Sequence, residues 1–342
     1  MKILIAGLGS IGRRHFRNLV ALGEKELILF RTNRATLPDD ELAGYPVETD
    51  LTEALKKHKP EAVVVSNPTS LHMDVAIPAA RAGCAILLEK PVADRLGQVE
   101  SLRSAAAASG SRILVGFQFR YHPTLNKARE LIAAGAIGKV LTAHAHWGEY
   151  LPNWHPWEDY RQSYAARADL GGGVIVTLTH PLDYLRYLLG EVASLWSLNG
   201  HISALEVIGV EDAAEIGLRF SGGAIGAVHV NYFQRPPVHR LEIAGTGGTL
   251  RWDNADGLLT LYRMPDEFGS VMAQPTAAQV EQYPVPDGFE RNQLFLAQTR
   301  HFLQVARGQA EPICTLEDGA RALEIALAAI QSEKTGERIR LS

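Results

Sequence analysis

The first 120 residues alternate short apolar runs with stretches of helical period, and few architectures accept that rhythm. "KILIA", "LILF", "AVVVS", "AILLE" and "RILVGF" are apolar at successive positions, as strands covered on both faces of a sheet must be. Between them, residues 11–22, 51–58, 71–82 and 96–107 place apolar side chains at helical spacing. The alternation predicts a parallel sheet with crossover helices on both faces, a doubly wound α/β domain.

After Gly116 the pattern changes. A helix over 123–134 precedes the strand-like "KVLTAHAHWG", and the aromatic-rich "EYLPNWHPWEDY" has no helical period. Beyond Gly190, "AAEIGLRF", "AIGAVHVNYF", "RLEIAG", "TLRW" and "LLTLYR" are separated by turns such as "SGG" and "GTGG", which predicts hairpins of an antiparallel sheet. "YFQRPPVHRLEI" reads as an edge of that sheet, and 265–288 as a piece without regular structure. Helices over 292–305 and 316–334 close the chain. The expectation is a Rossmann domain over 1–120 and an α+β domain with an open, mostly antiparallel sheet over 121–342, the C-terminal helix returning to the first domain.

Length agrees with two domains, since 342 residues exceed what one core usually organises. With 34 basic and 38 acidic residues the net charge is -4, which gives no support to a nucleic-acid role. Cys84 and Cys314 stand far apart, in neither a metal-type nor a disulfide-framework spacing. No apolar run approaches the roughly 18 residues of a membrane span, and "ILIAGLG" is too short for a secretory segment. These features place the chain in the cytoplasm, away from membranes.

Gly7, Gly9 and Gly12 form G-x-G-x-x-G directly after a predicted strand and at the start of a predicted helix. The first glycine allows the tight turn, the second lets a pyrophosphate approach, and the third lets helix and strand pack. Ser10 and Ile11 then open a helix whose free N–H groups face the phosphates. NAD sites usually carry an acid at the end of the second strand, about 20 residues on. Here that strand runs into Arg31, Thr32 and Arg34, and guanidinium and hydroxyl groups suit a 2′-phosphate. The reading is NADP(H), with NAD(H) as the alternative.

"VVVSNPTSLH" and "AILLEKPVA" each end a predicted parallel strand at the edge where open α/β sheets bind ligands. Lys90 then projects from a rigid strand end. With the glycine loop, "SNPTSLH", "EKP", "VGFQFRYHP" and "DLGGGVIVTLTHPLDYLRYLLG", the chain resembles the Gfo/Idh/MocA oxidoreductases over nearly its whole length. The resemblance implies hydride transfer between a nicotinamide and a secondary alcohol or ketone of a sugar, sugar acid or polyol. It implies that Lys90 lies beside nicotinamide and substrate, and that Asn67, Pro68, His72 and Glu89 line the cofactor. A partly desolvated ammonium at Lys90 would ease deprotonation of the hydroxyl being oxidised.

Family members often carry an aspartate three residues before a histidine after the glycine triplet; the matching positions are Thr177 and His180. The imidazole can take the hydroxyl proton. Thr177 can hydrogen-bond but cannot offset an imidazolium charge, and Pro181 predicts a kink or restart of the helix.

Arg120, Tyr121, Trp147, Trp157, Arg161 and Arg167 are the candidate substrate contacts, because aromatic faces suit sugar C–H groups and arginines suit carboxylates or phosphates. Convergence of Arg120, Arg161, Arg167 and Arg235 would indicate a nonulosonic acid precursor or a sugar nucleotide. The competing reading pairs them with Glu149, Glu158 and Asp159 at the surface. His144 and His146 share a strand face and could meet zinc with His155, but the resembled family needs no metal, and none is expected. The open sheet face implies a homodimer or homotetramer by the same resemblance. Two rival functions stay open: a glycosidase using the dinucleotide transiently, and a non-catalytic dinucleotide sensor.

Overall fold

The opening alternation becomes β1 (Ile3–Ala6), α1 (Ser10–Ala21), β2 (Leu27–Phe30), β3 (Val47–Glu48), α2 (Leu51–His58), β4 (Ala62–Val65), α3 (His72–Arg81), β5 (Ala85–Leu88), α4 (Leu96–Ser109) and β6 (Ile113–Val115). In this computed structural model, which describes residues 1–32, 40–263 and 275–341, the six strands pair in parallel in the order β3-β2-β1-β4-β5-β6. Every residue of β1, β4 and β5 is buried, as the unbroken apolar runs require. The order reverses between β1 and β4, the switch point where such sheets open a crevice at their carboxyl ends. Local chemistry sets the helix limits: the Asp50 carboxylate accepts from the Glu53 N–H to start α2, and Gly110 in a left-handed conformation stops α4.

The chain continues through α5 (Pro123–Ala133), β7 (Val140–Tyr150), α6 (Val174–Thr177), α7 (His180–Leu189), β8 (Val192–Gly200), β9 (Ala213–Phe220), β10 (Ile225–Asn231), β11 (Phe233–Gly245), β12 (Gly248–Asp253), β13 (Leu258–Arg263) and β14 (Val280–Tyr283). It ends with α8 (Asn292–Ala306), α9 (Leu316–Thr335) and β15 (Ile339–Arg340). A nine-stranded sheet runs β14-β13-β12-β11-β7-β10-β9-β8-β15, antiparallel except where β7 and β10 lie parallel. Its inner face buries Ala143, Ala145, Trp147, Leu241, Ile243, Leu250 and Trp252, with α7 against β7 and α5 against β12 and β13. "EYLPNWHPWEDY" and its continuation form a series of short 3-10 turns.

Two compact units result. One holds residues 1–118, 167–172 and 290–323; the other holds 119–166, 173–289 and 324–342. In the first, the Val115 N–H donates to the Cys314 carbonyl at 2.9 Å, and Gly319 lies where a Cβ would meet Val92 and Val115. Both cysteines are buried, and burial pushes the Cys84 thiol up to about 11. No described helix is long and apolar enough to cross a membrane.

Two expectations change, and one holds. "YFQRPPVHRLEI" is no edge, because β11 lies between β12 and β7. The proline pair falls in an irregularity between Phe233 and Val238, where the register to β7 shifts and ladder donors are not needed. Within 265–288, residues 277–283 are ordered as a 3-10 turn and β14, which pairs with β13; 264–274 lie outside the described residues. The helical pattern after the glycine triplet breaks into α6 and α7, with Pro181 in the first turn of α7, where a missing N–H costs nothing.

Candidate active site

Three strand ends meet at the switch point of the parallel sheet. After β1, Gly7 has φ +88°, and a Cβ there would sit 2.5 Å from the Asn67 nitrogen. Gly12 is tighter still, since its Cβ would lie 1.9 Å from the Gly7 carbonyl oxygen. A Cβ on Gly9 would meet nothing within 4 Å. Gly7 and Gly12 thus close the turn on β4, while Gly9 leaves room above it. The Ser66 hydroxyl, at the end of β4, is 3.0 Å from the Ala6 carbonyl and 2.9 Å from that of Gly7. No described side chain caps α1, and Gly9 and Ser10 are exposed, so the helix N-terminus leaves its N–H groups available to a phosphate. These features fit a dinucleotide.

Arg13 was not foreseen as part of this loop. It is 1% exposed; its Nε donates to the Leu8 carbonyl at 3.1 Å, and Nη1 pairs with Glu41 at 3.0 Å. The guanidinium is a strut holding the turn between Gly7 and Gly9. Its only sequence signal is a charged residue directly after Gly12. Arg31 continues from β2 with its N–H on the Glu48 carbonyl at 3.1 Å, Thr32 is exposed, and Arg34 lies outside the described residues.

His72 begins α3 and is fully buried. Its Nδ1 is 2.9 Å from the Pro91 carbonyl, and its Nε2 is 2.9 Å from that of Asn67. One imidazole therefore clasps the loop after β4 to the loop after β5. Burial lowers its proton affinity, opposed by the Glu89 charge and by the carbonyls. Pro68 precedes the 3-10 turn Thr69–Leu71, and the Asn67 amide donates to Leu71 at 2.8 Å. The Glu89 carboxylate lies 2.7 Å from His15 Nε2. Lys90 follows it, half-buried.

In the second unit His180 is the first residue of α7 and is 2% exposed. Its ring stacks on Trp147 with centroids 5.4 Å apart, and Trp147 stacks on His239 at 4.1 Å. Phe119 stands edge-on to all three at 4.9–5.7 Å. Trp147 and His180 are thus brought together. His239 and Phe119 were missed, although "VHRLEI" alternates so that His239 shares the inner face with Leu241 and Ile243, directly opposite Trp147. Thr177 is 2% exposed and bears on the buried Tyr232 phenol, whose hydroxyl donates to the Ala165 carbonyl at 3.2 Å.

Three of the four arginines have their own carboxylates. Arg120 is 3% exposed, pairs with Asp183 at 2.6 Å and lies over the Tyr187 ring at 4.9 Å. Arg161 pairs with Asp159 and Glu206 at the surface, Arg167 pairs with Asp169, and Arg235 lies over Tyr150 at 4.2 Å. Tyr121 is half-buried, and Trp157 is 59% exposed against His155. His144 and His146 do share the outer face of β7, where His146 meets the His229 ring at 4.6 Å. Among the described residues no three metal-binding side chains are grouped.

Beside this cluster, the Trp252 indole donates to the Thr124 hydroxyl at 2.9 Å, and that hydroxyl reaches His122 Nδ1 at 3.1 Å. Burial drags His122 down to about 4. The unfolded imidazole takes a proton near 6.5 and the folded one only near 4, so stability held above pH 6.5 is lost as pH falls through that window. Urea unfolding at pH 7 and pH 4 should differ by about 3 kcal/mol more for the wild type than for His122→Gln.

Residues 1–117 match the oxidoreductase family's NAD-binding Rossmann fold, and residues 125–251 match a Gfo/Idh/MocA C-terminal domain. The chain is 28% identical over 291 residues to 1,5-anhydro-D-fructose reductase of Ensifer adhaerens, covering 84% of this chain and 82% of that protein. It is 25% identical over 352 residues to myo-inositol 2-dehydrogenase of Thermotoga maritima, covering 100% and 98%. A levoglucosan dehydrogenase solved in complex with NADH superposes with a TM-score of 0.84 at 19% identity, covering 100% and 99%.

Proposed function

Since the chain belongs to the Gfo/Idh/MocA family of NAD-binding oxidoreductases, we propose that it transfers a hydride between a nicotinamide and a secondary alcohol or ketone of a sugar, sugar acid or polyol. The observation that carries this is the convergence of three strand ends, bearing Gly7–Gly12, Asn67 and Lys90, at the switch point of one parallel sheet. The bound nicotinamide supplies or accepts the hydride. Residues 1–120 hold the cofactor, Gly7, Gly9, Ser10, Ile11 and Gly12 receiving the pyrophosphate, with Asn67, Pro68 and His72 shaping the adjoining loop. Lys90 polarises the substrate oxygen, and His180 moves its proton.

Residues 121–342 receive the substrate, with Thr177, Tyr121, Trp147 and Trp157 offering hydroxyl groups and ring faces. Arg161 and Arg167 are surface pairs that an anionic group could exchange for. The same half presents the sheet face on which a homodimer or homotetramer forms, and the compartment is the cytoplasm. Turnover is tested with myo-inositol, levoglucosan and 1,5-anhydrofructose, reading nicotinamide absorbance. No net turnover despite tight cofactor binding would overturn the proposal.

The cofactor preferred is NADP(H), because no acid follows β2 and Arg31 and Thr32 stand there instead. Arg31→Asp should weaken NADPH binding by about tenfold or more while sparing NADH, as replacing an attractive charge by a repulsive one does. Fluorescence titration of both nucleotides decides it, and equal affinities in the wild type would refute the preference.

A further inference from the structure

Glu89 is 7% exposed and His15 is 0% exposed, and the two side chains meet each other. The Glu89 N–H donates to the Val65 carbonyl at 3.0 Å, and the Gly116 N–H donates to the Leu88 carbonyl at 2.8 Å, so the sheet ladder continues to the residue before Lys90. Beyond Leu88 the strand gives way to a bend at Lys90, and there the Lys90 N–H donates to Glu89 Oε2 at 3.4 Å. Anchoring the Glu89 carboxylate therefore also holds the backbone from which the Lys90 side chain leaves. The anchor is tight. Glu89 Oε1 lies 2.7 Å from His15 Nε2, and a Cβ on Gly116 would stand 3.0 Å from the carboxyl carbon and both its oxygens. His15 lies in α1, three residues beyond Gly12, and meets the Phe295 ring edge-on at 6.4 Å. Arg14 lies over the same ring at 4.4 Å.

We propose that His15 and Glu89 are positioning residues that fix Lys90 relative to the dinucleotide loop. One buried bond joins the helix that carries the phosphate-binding turn to the strand end that carries the lysine. Such a bond is weak evidence of stability, but it sets geometry. The inference rests on the reading that Lys90 polarises the substrate oxygen.

The test uses the full-length protein with NADH or NADPH bound. For His15→Ala and Glu89→Ala, kcat should fall about 10²-fold, as for a misplacement of about 1 Å, with KM and nucleotide affinity nearly unchanged. His15→Gln keeps a donor near the Nε2 position, and should restore most of the loss. Glu89→Asp keeps the charge one methylene short, and should lower kcat at an unchanged melting temperature. That variant decides the matter if the alanine forms fail to fold. Lys90 is read separately, by its rate of acylation with acetic anhydride followed by mass spectrometry, which should change in the alanine and Asp variants and return in His15→Gln. Wild-type kcat and wild-type Lys90 labelling in folded Glu89→Asp would overturn the proposal. If Lys90→Met keeps its turnover while the labelling still responds to Glu89→Asp, the catalytic reading of Lys90 fails and the positioning survives.

Discussion

Replacing Lys90 by methionine is expected to lower turnover by about 10³-fold while leaving nucleotide affinity within about threefold, since general acid–base groups are worth 10²–10⁴. Methionine keeps the length of the side chain and removes its charge and donors. The half-buried stem leaves a strand end already fixed by the sheet ladder, so the backbone has no reason to move. Stopped-flow measurement of nicotinamide absorbance, beside a fluorescence titration, separates the two effects. Loss of both together would mean that Lys90 serves cofactor binding. Loss of neither would remove it from the reaction.

The largest expected effect on stability is at Asp183. Its carboxylate is 1% exposed and meets the 3% exposed Arg120 guanidinium through both Nε and Nη2. Asp183→Ala leaves a buried cation without its counter-charge and should cost about 3–5 kcal/mol in urea unfolding. Removing both charges in Arg120→Met/Asp183→Leu should cost far less, because two desolvated ions are replaced by apolar packing of similar bulk. The comparison also bears on substrate recognition. An Arg120 free to bind anions would tolerate loss of Asp183, whereas a structural Arg120 would not. A loss under 1 kcal/mol would favour the first.

How far the residues announced this arrangement depends on the range over which their signals act. Unbroken apolar runs and the spacing of Gly7, Gly9 and Gly12 are local, and they led directly to the parallel sheet and its loop. The restart at Pro181 was local too, because proline acts on its own turn. Strand β8 was not singled out, and the two residues of β15 carry no periodicity of their own before they pair with it. β11 reads as an edge in the sequence because strand order is not a local signal, and only its neighbours β12 and β7 show that it is interior, with a register shift at its two prolines. The partners of Arg120, Arg13 and Glu89 were hidden for the same reason. Asp183, Glu41 and His15 stand 63, 28 and 74 positions away. A charge in a sequence does not say whether it will face water or another charge.

The return of residues 290–323 to the first unit has a consequence for how the molecule is made. As the chain leaves the ribosome, the glycine loop and all six parallel strands appear early. The stretch that presents Phe295 to His15 and Arg14, and the Cys314 carbonyl to Val115, appears only after β14. The nucleotide-binding half must therefore wait, partly uncovered, while the entire nine-stranded sheet except its last edge strand is synthesised. During that interval its apolar surface is open to chaperones and to mispairing. Completion of the cofactor-binding half thus waits on residues that follow nearly all of the nine-stranded sheet in the sequence.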